Sequence, residues 1–210
     1  MATSKLTIYN GALRLLGQRK LASLAEESPA RRYLDDIWDD GLVDYCLSQG
    51  QWAFATRSSI LDASESIVPD FGYQYAFEMP DDFKGLVVLC YDEYFQSPII
   101  KYSLEAGIIY CDVDEIYIRY ISNDANYGGD YSLWSDSFND FVKTKLALDA
   151  CEQLTKSSTK LKELKDELKE MRKIAKNNDL QNKPPVIPAT GSWINRRMGS
   201  LRNRDHATSL

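Results

Sequence analysis

Residues 115–122 read EIYIRYIS, and the period of this stretch decides the fold class. Apolar side chains occupy every second position, namely Ile116, Ile118 and Tyr120. A period of two residues is typical of a β-strand that buries one face. The sequence therefore predicts a strand here, although both flanks of the chain show the longer period of helices.

Four further segments in the middle of the chain have the same character. They are short, rich in β-branched and aromatic residues, and bounded by Gly, Pro, Asp or Ser. The segments are FATRSSIL (54–61), GLVVLCY (85–91), SPIIKYS (97–103) and GIIYC (107–111). Together with residues 115–122 they predict one small antiparallel sheet over residues 53–122, followed by the loop SNDANYGGDYS.

Two helices are predicted before the sheet. The first spans about residues 3–16, and Gly17 stands where a helix C-cap is expected. The second begins at Ser28, a capping residue followed by Pro29 at the first helical position. Its apolar residues lie largely on one face, and we expect it to end near residues 48–50.

Two more helices are predicted after the sheet, over about residues 133–154 and 158–176. The first has a stripe made of Phe138, Phe141, Val142, Lys145, Leu148 and Cys151. The second has a seam with alternating spacings of three and four, made of Leu161, Leu164, Leu168, Met171 and Ala175. Such a narrow seam packs either on a helix of the same bundle or on another subunit, and the sequence leaves both open.

The order of these segments predicts an α+β fold that is mainly α. It consists of a bundle of about four helices, an inserted small antiparallel β domain and an extended C-terminal tail. The predicted boundaries are residues 1–52 for the N-terminal helices, 53–132 for the β domain, 133–176 for the C-terminal helices and 177–210 for the tail.

Composition limits the possible classes of protein. With 44% hydrophobic and 27% charged residues, the 210-residue chain can bury an ordinary core. We expect no signal peptide and no membrane contact, because the longest apolar run, residues 86–90, is far shorter than a membrane span. The four cysteines lie tens of residues apart, so we expect buried thiols in a reducing cytosol and neither a metal nor another cofactor.

The sequence offers little catalytic chemistry. It has no phosphate-binding glycine motif and no HExxH, and the only imidazole, His206, lies near the end of the chain. Carboxylate pairs are the remaining common device. The candidates are Glu26–Glu27, Asp35–Asp36, Asp39–Asp40, Asp81–Asp82 and Asp112–Asp114–Glu115. Acidic pairs usually lie on the solvated surface, so we predict a protein that is not an enzyme.

Charge is distributed unevenly along the chain. From residue 177 onward there are five basic and two acidic residues, a net charge of +3, whereas the whole chain carries −6. Residues 1–176 therefore carry −9. Because nucleic-acid binding depends on neutralising phosphates, this charge disfavours tight binding by the body. Only the tail is suited to contact phosphate.

The tail contains an unusual apolar pair, Trp193–Ile194, in a segment bounded by Pro and Gly. No secondary-structure element in the tail would bury Trp193. A large apolar residue in an extended tail is often an anchor in a partner's pocket. The alternative, that Trp193 folds back onto its own domain, remains open.

Three strings together resemble the phage head-to-tail adaptor family, also called tail tubular protein A. They are residues 21–61, residues 73–89 (YQYAFEMPDDFKGLVVL) and residues 191–200 (GSWINRRMGS). The matching features are the Leu16–Gly17 turn, the helix start at Ser28 and Ala30, the Trp52–Phe54–Ala55 step and the Tyr-rich string from Tyr73 to Pro80. The chain departs from the family at Gln51 and Tyr33, where such proteins often have Pro and Cys.

The resemblance implies a ring of twelve copies under a portal protein, with DNA passing through the centre without specific binding. A tail nozzle or other tail protein would bind the opposite face of the ring. The protein would be made in the bacterial cytoplasm and would reside in the neck of the virion.

In this interpretation the tail runs along the portal. The PPVIP segment holds it extended, Trp193 and Ile194 fill an apolar groove, and Arg196 and Arg197 meet carboxylates. The residues predicted to bind the partner are Pro185, Ile187, Trp193, Ile194, Arg196, Arg197 and Met198.

Two other functions are alternatives to the adaptor. A peptidoglycan- or polysaccharide-degrading virion protein would need a carboxylate of raised pKa in an apolar cleft, and the sequence identifies none. A nucleic-acid binder would depend on the arginines of the tail, against the negative charge of the body.

Overall fold

The computed structural model describes residues 4–70 and 72–181. Its α-helices are Lys5–Leu15 (α1), Pro29–Ile37 (α2), Val43–Ser48 (α3), Asp136–Thr155 (α4) and Ser158–Gln181 (α5). Its strands are Thr56–Asp62 (β1), Tyr75–Glu78 (β2), Phe83–Cys90 (β3), Ser103–Glu105 (β4), Ile108–Cys111 (β5) and Glu115–Ser122 (β6). The fold is α+β with about four helices, as predicted, because α2 and α3 form one kinked helix.

The kink between α2 and α3 is a π-helical turn at Trp38–Leu42. Within it Gly41 has φ 91°, a left-handed conformation that glycine adopts at little cost. The helix starts as predicted, since the Ser28 hydroxyl accepts a hydrogen bond from the Arg31 N–H at 3.2 Å. The turn lets Trp38 and Leu42 both reach the core.

The helical core is built around α4, against which α1, α2 and α5 pack. Helix α4 begins at Asp136 rather than near residue 133, because Ser135 caps it by accepting from the Phe138 N–H at 3.2 Å. In the predicted stripe, Phe138, Phe141, Val142 and Cys151 are buried. Helix α4 is buried on several sides by these helices and therefore forms the centre of the helical core.

The seam of α5 packs inside the chain. Leu164 and Ala175 are fully buried in the helical core, and the other three seam residues are partly buried against it. Of the two interpretations left open by the sequence, packing within one bundle is therefore confirmed.

Helix α5 ends five residues later than predicted, at Gln181 rather than residue 176. Residues 177–181, which we assigned to the tail, are helical. The cause is a tertiary contact that no local period encodes: the buried Asp179 carboxylate accepts the Ala53 N–H at 2.7 Å.

The strands form two antiparallel sheets, with orders β1-β6-β3 and β2-β5-β4. The prediction of one sheet was wrong, and strand β2 was not predicted. Most of the predicted strand SPIIKYS is also irregular, because only Ser103 belongs to β4 and Pro98 forms an isolated bridge with Cys90. Proline lacks the N–H that continued pairing requires.

The sheets enclose a second, smaller core. Its buried residues are Phe77, Leu89, Ile99, Ile109, Cys111, Ile116, Ile118 and Tyr120. The alternation predicted for β6 is confirmed, since Ile116, Ile118 and Tyr120 all lie in this core. Ile121 points to the other face and joins the helical core, so β6 connects the two cores.

Candidate functional site

The seven predicted partner-binding residues all lie outside the described part of the chain, and so does His206. The last described residue before the tail is Gln181, at the end of α5. This end of α5 lies beside the connection between α3 and β1.

This junction is held by contacts between distant parts of the chain. The Asp179 carboxylate accepts the Ala53 N–H, and the Arg172 guanidinium donates to the Gln49 side-chain oxygen at 3.0 Å. A groove of about 230 Å³ lies beside them, lined by Gly50, Gln51, Trp52, Lys176, Asp179 and Leu180. The first residues of the tail therefore start from a point fixed relative to both the helices and the sheets.

Trp52 packs the inner wall of this junction. Its indole N–H donates to the carbonyls of Cys46 and Leu47 at 3.2 and 3.0 Å, and its ring meets Phe138 edge-on at 4.7 Å. A buried indole with its N–H satisfied is a packing element. The Trp52–Phe54–Ala55 motif, one of the features that resemble the adaptor family, thus has a structural role in this protein.

Asp82 accepts hydrogen bonds from the side chains of three distant residues. It accepts from Arg57 Nη1 at 3.0 Å, from the Tyr120 hydroxyl at 3.0 Å and from the Ser122 hydroxyl. Burial acts to raise the pKa of Asp82, but the hydrogen bonds from Ser122, Arg57 and Tyr120 outweigh it and lower the pKa. Asp82 therefore stays ionised and ties β1, β3 and β6 together.

Other carboxylates also serve as hydrogen-bond acceptors in the fold. Asp35, from another predicted acidic pair, accepts from the Tyr9 hydroxyl and from Arg31 Nη1, both at 2.8 Å. Backbone N–H groups, led by that of Gln96, lower the pKa of Asp92. A hydrogen bond from Ser132 likewise lowers the pKa of Asp130. A general acid needs a raised pKa, so Asp92 and Asp130 do not supply one.

One surface groove is lined by residues that lie far apart in the sequence. It measures about 320 Å³ and is lined by Ile67, Val68, Asp70, Tyr73, Ser103, Glu105 and Tyr110. Glu105 accepts a hydrogen bond from the Ser103 hydroxyl at 2.6 Å. Its walls come from a loop and from the β4–β5 hairpin, so no local motif could have indicated it. None of its carboxylates belongs to the predicted pairs.

Residues 53–132, which we call the β region, carry the excess of negative charge. They include fourteen Asp and Glu against four Lys and Arg, a net charge of −10. The rest of the chain therefore carries +4. The acidic residues are spread over the whole β region and are not confined to one cluster.

Among the described residues, no group of three or more His, Cys, Asp or Glu is placed to hold a metal ion. The four cysteines are buried free thiols. Burial raises the pKa of the Cys46 thiol, which keeps it protonated. Within the same residues, no helix has both the length and the apolar character needed to cross a membrane.

No protein-family model matches this chain, and a search of curated proteins finds none similar to it. Its function is therefore inferred from its residues and their geometry.

Proposed function

We propose that this protein is a structural head-to-tail adaptor of a phage virion, of the tail tubular protein A type. It would form a ring beneath the portal, through which DNA passes. The proposal starts from the three strings that resemble this family and from the α+β fold, in which a β region is inserted into a helical bundle.

The observation that carries the proposal is the separation of charge along the chain. The β region has a net charge of −10 and the tail has +3. A channel wall rich in Lys and Arg would hold DNA through its phosphates and retard its passage. An acidic wall avoids this, so the β region is suited to face the channel while the cationic tail points away.

The tail would dock on the portal. It leaves the body beside the groove at Gly50–Trp52 and Lys176–Leu180, a place held by the Asp179–Ala53 hydrogen bond. Each tail alone gives little affinity, but tethered copies on a matching ring bind multivalently. The opposite face of the ring would bind the tail nozzle or another tail protein.

This proposal assigns no catalytic role to the chain. Two of the predicted acidic pairs lie together, since Asp36, Asp39 and Asp40 line one open surface groove. Lys5 Nζ lies 3.5 Å from Asp35 and 3.9 Å from Asp39, so a cation already balances this group. Asp35 and Asp82 are structural hydrogen-bond acceptors. Purified protein incubated with peptidoglycan or capsular polysaccharide should release no more product than buffer does. Activity lost on substitution of a single Asp or Glu would make the degrading enzyme the better proposal.

The direct test is assembly with the portal. Mass photometry of the full chain, alone and mixed with its portal, should detect a ring-sized complex. Deletion of residues 183–210 should leave a folded protein that no longer co-sediments with portal rings, whereas a deletion of residues 207–210 should bind as wild type. Wild-type binding by the longer deletion would contradict docking through the tail.

A further inference from the structure

Helix α5 presents a line of cations beside its buried seam. One residue after each seam position stands a basic residue, and we call this set the basic stripe: Lys162, Lys165, Lys169, Arg172 and Lys176. All five are exposed. From first to last they cover fourteen helical steps, about 21 Å at 1.5 Å per residue. The stripe is thus a continuous cationic edge along the body.

Among the described residues, one member of the basic stripe forms an ion pair. Lys169 pairs with the exposed Asp166 at 2.9 Å, and Arg172 donates to the neutral Gln49. Lys162, Lys165 and Lys176 have no ion-pair partner among residues 4–70 and 72–181. Like charges three or four residues apart on a helix repel one another. An opposite charge from outside the chain would relieve this repulsion.

A surface of opposite sign lies at the far end of β1 and β6. Four exposed residues form it, and we call them the acidic patch: Asp62, Glu93, Asp114 and Glu115. Asp62 and Glu115 lie directly opposite each other in the β1–β6 register. Like charges in such a cross-strand pair are destabilising.

The surroundings of Tyr117 indicate the same negative potential. The Tyr117 hydroxyl donates to a Glu115 carboxylate oxygen at 2.7 Å. That hydrogen bond, followed by burial and by the charges of Glu115, Glu93 and Asp62, raises the pKa of Tyr117. Three of the four residues of the acidic patch therefore act together on one point of the surface.

The two surfaces are separated within one copy. Lys176 lies beside Gly50 at the junction, and the basic stripe runs from there along α5. The acidic patch lies at the other end of β1, about 20 Å beyond Thr56 at 3.3 Å per residue. No ion pair joins the two surfaces in the described residues. Their charges are complementary, and only separate copies can bring them together.

We propose that the basic stripe of one copy binds the acidic patch of the next copy and so forms the subunit contact of the ring. This inference rests on the ring proposed above. Because the two surfaces differ, the contact is heterologous, and each copy uses both surfaces, as closure of a ring requires. Complementary charge also orients the approaching copies and makes the contact sensitive to salt.

DNA is the other polyanion that the basic stripe could meet. The same helix bears Glu163, Asp166 and Glu170 beside the stripe, so a phosphate backbone, which is negative along its whole length, would meet these anions together with the cations. A neighbouring copy presents discrete carboxylates instead, which suits a stripe of limited length. The observations therefore favour a second copy.

Charge reversal tests this contact. The variant Lys162→Glu/Lys165→Glu should reduce ring formation at least about tenfold, measured by mass photometry with and without portal. Asp62→Lys/Glu115→Lys should cause a similar loss, and mixing the two variants should restore mixed rings. The control Lys20→Glu/Arg32→Glu makes the same change in net charge at two exposed positions outside α5 and should assemble as wild type. Circular dichroism should show all variants folded.

The outcomes separate the two proposals. Wild-type rings together with undiminished rings in the stripe variant would overturn the contact and leave the adaptor standing. A wild type that stays monomeric even with portal would contradict the ring and this contact together. Salt-sensitive binding of duplex DNA by the wild type, lost in the stripe variant, would assign the stripe to DNA and overturn the contact.

Discussion

Replacing Asp82 by alanine should destabilise the protein by about 2–4 kcal/mol at pH 7. The substitution removes the shared acceptor of Arg57, Tyr120 and Ser122. The residues Tyr120 and Ser122 are 1% and 0% exposed, so their hydroxyls have little access to water once the carboxylate is gone.

The magnitude follows from these three partners. Each buried hydroxyl left without its acceptor costs about 1–3 kcal/mol. The ion pair adds only about 0–1 kcal/mol, because the Arg57 side chain is 38% exposed. The Asp82 side chain is 16% exposed, so water can partly replace it and the sum lies toward the lower end.

The effect should depend on pH in a defined direction. The folded-state pKa of Asp82 is lowered, so its stabilising contribution is complete above the unfolded-state pKa of about 3.9. It is lost as the pH falls through the folded-state pKa. The difference between wild type and variant should therefore shrink below about pH 4.

Urea unfolding followed by tryptophan fluorescence measures both quantities. The exposed neighbour Asp81 provides the matched control, and Asp81→Ala should change the free energy of unfolding by less than about 0.5 kcal/mol. Equal effects of the two substitutions, or an Asp82→Ala effect that is the same at pH 3 and pH 7, would refute a central role for this carboxylate.

Three further predictions concern packing and the tail. Leu164→Ala, at a fully buried seam position, should lower the free energy of unfolding by about 2–5 kcal/mol. Leu180→Ala, at a position that is 61% exposed, should lower it by less than about 0.5 kcal/mol. Equal values would contradict the packing of α5. Gly128→Ala should lower the melting temperature measured by calorimetry, because an added Cβ would overlap a backbone carbonyl oxygen; an unchanged melting temperature would show that the loop yields freely. Trp193→Ala should weaken portal binding by at least about 2 kcal/mol, whereas Arg204→Ala should weaken it by about 0–1 kcal/mol. Equal losses of binding free energy in a titration would indicate that the tail binds by charge alone.

The candidate sites differ in how far the sequence could predict them. Trp193 stands out locally, because an apolar residue in a Pro- and Gly-rich segment has no element to bury it. Asp82 does not stand out, because an acidic pair in a turn is typical of the solvated surface. Its partners Arg57, Tyr120 and Ser122 lie 25 to 40 residues away, and only strand pairing brings them together.

The sequence by itself determined the helices, most strands and the α+β class. Helix caps such as Ser28 and the alternation in β6 act over a few residues, so they can be recognised in the sequence. Only the tertiary structure decided that the strands divide into two sheets, that β2 exists and that α5 continues to Gln181. Strand partners are chosen by competition among distant segments for one core, and the last turn of α5 is held by the Asp179–Ala53 hydrogen bond across 126 positions.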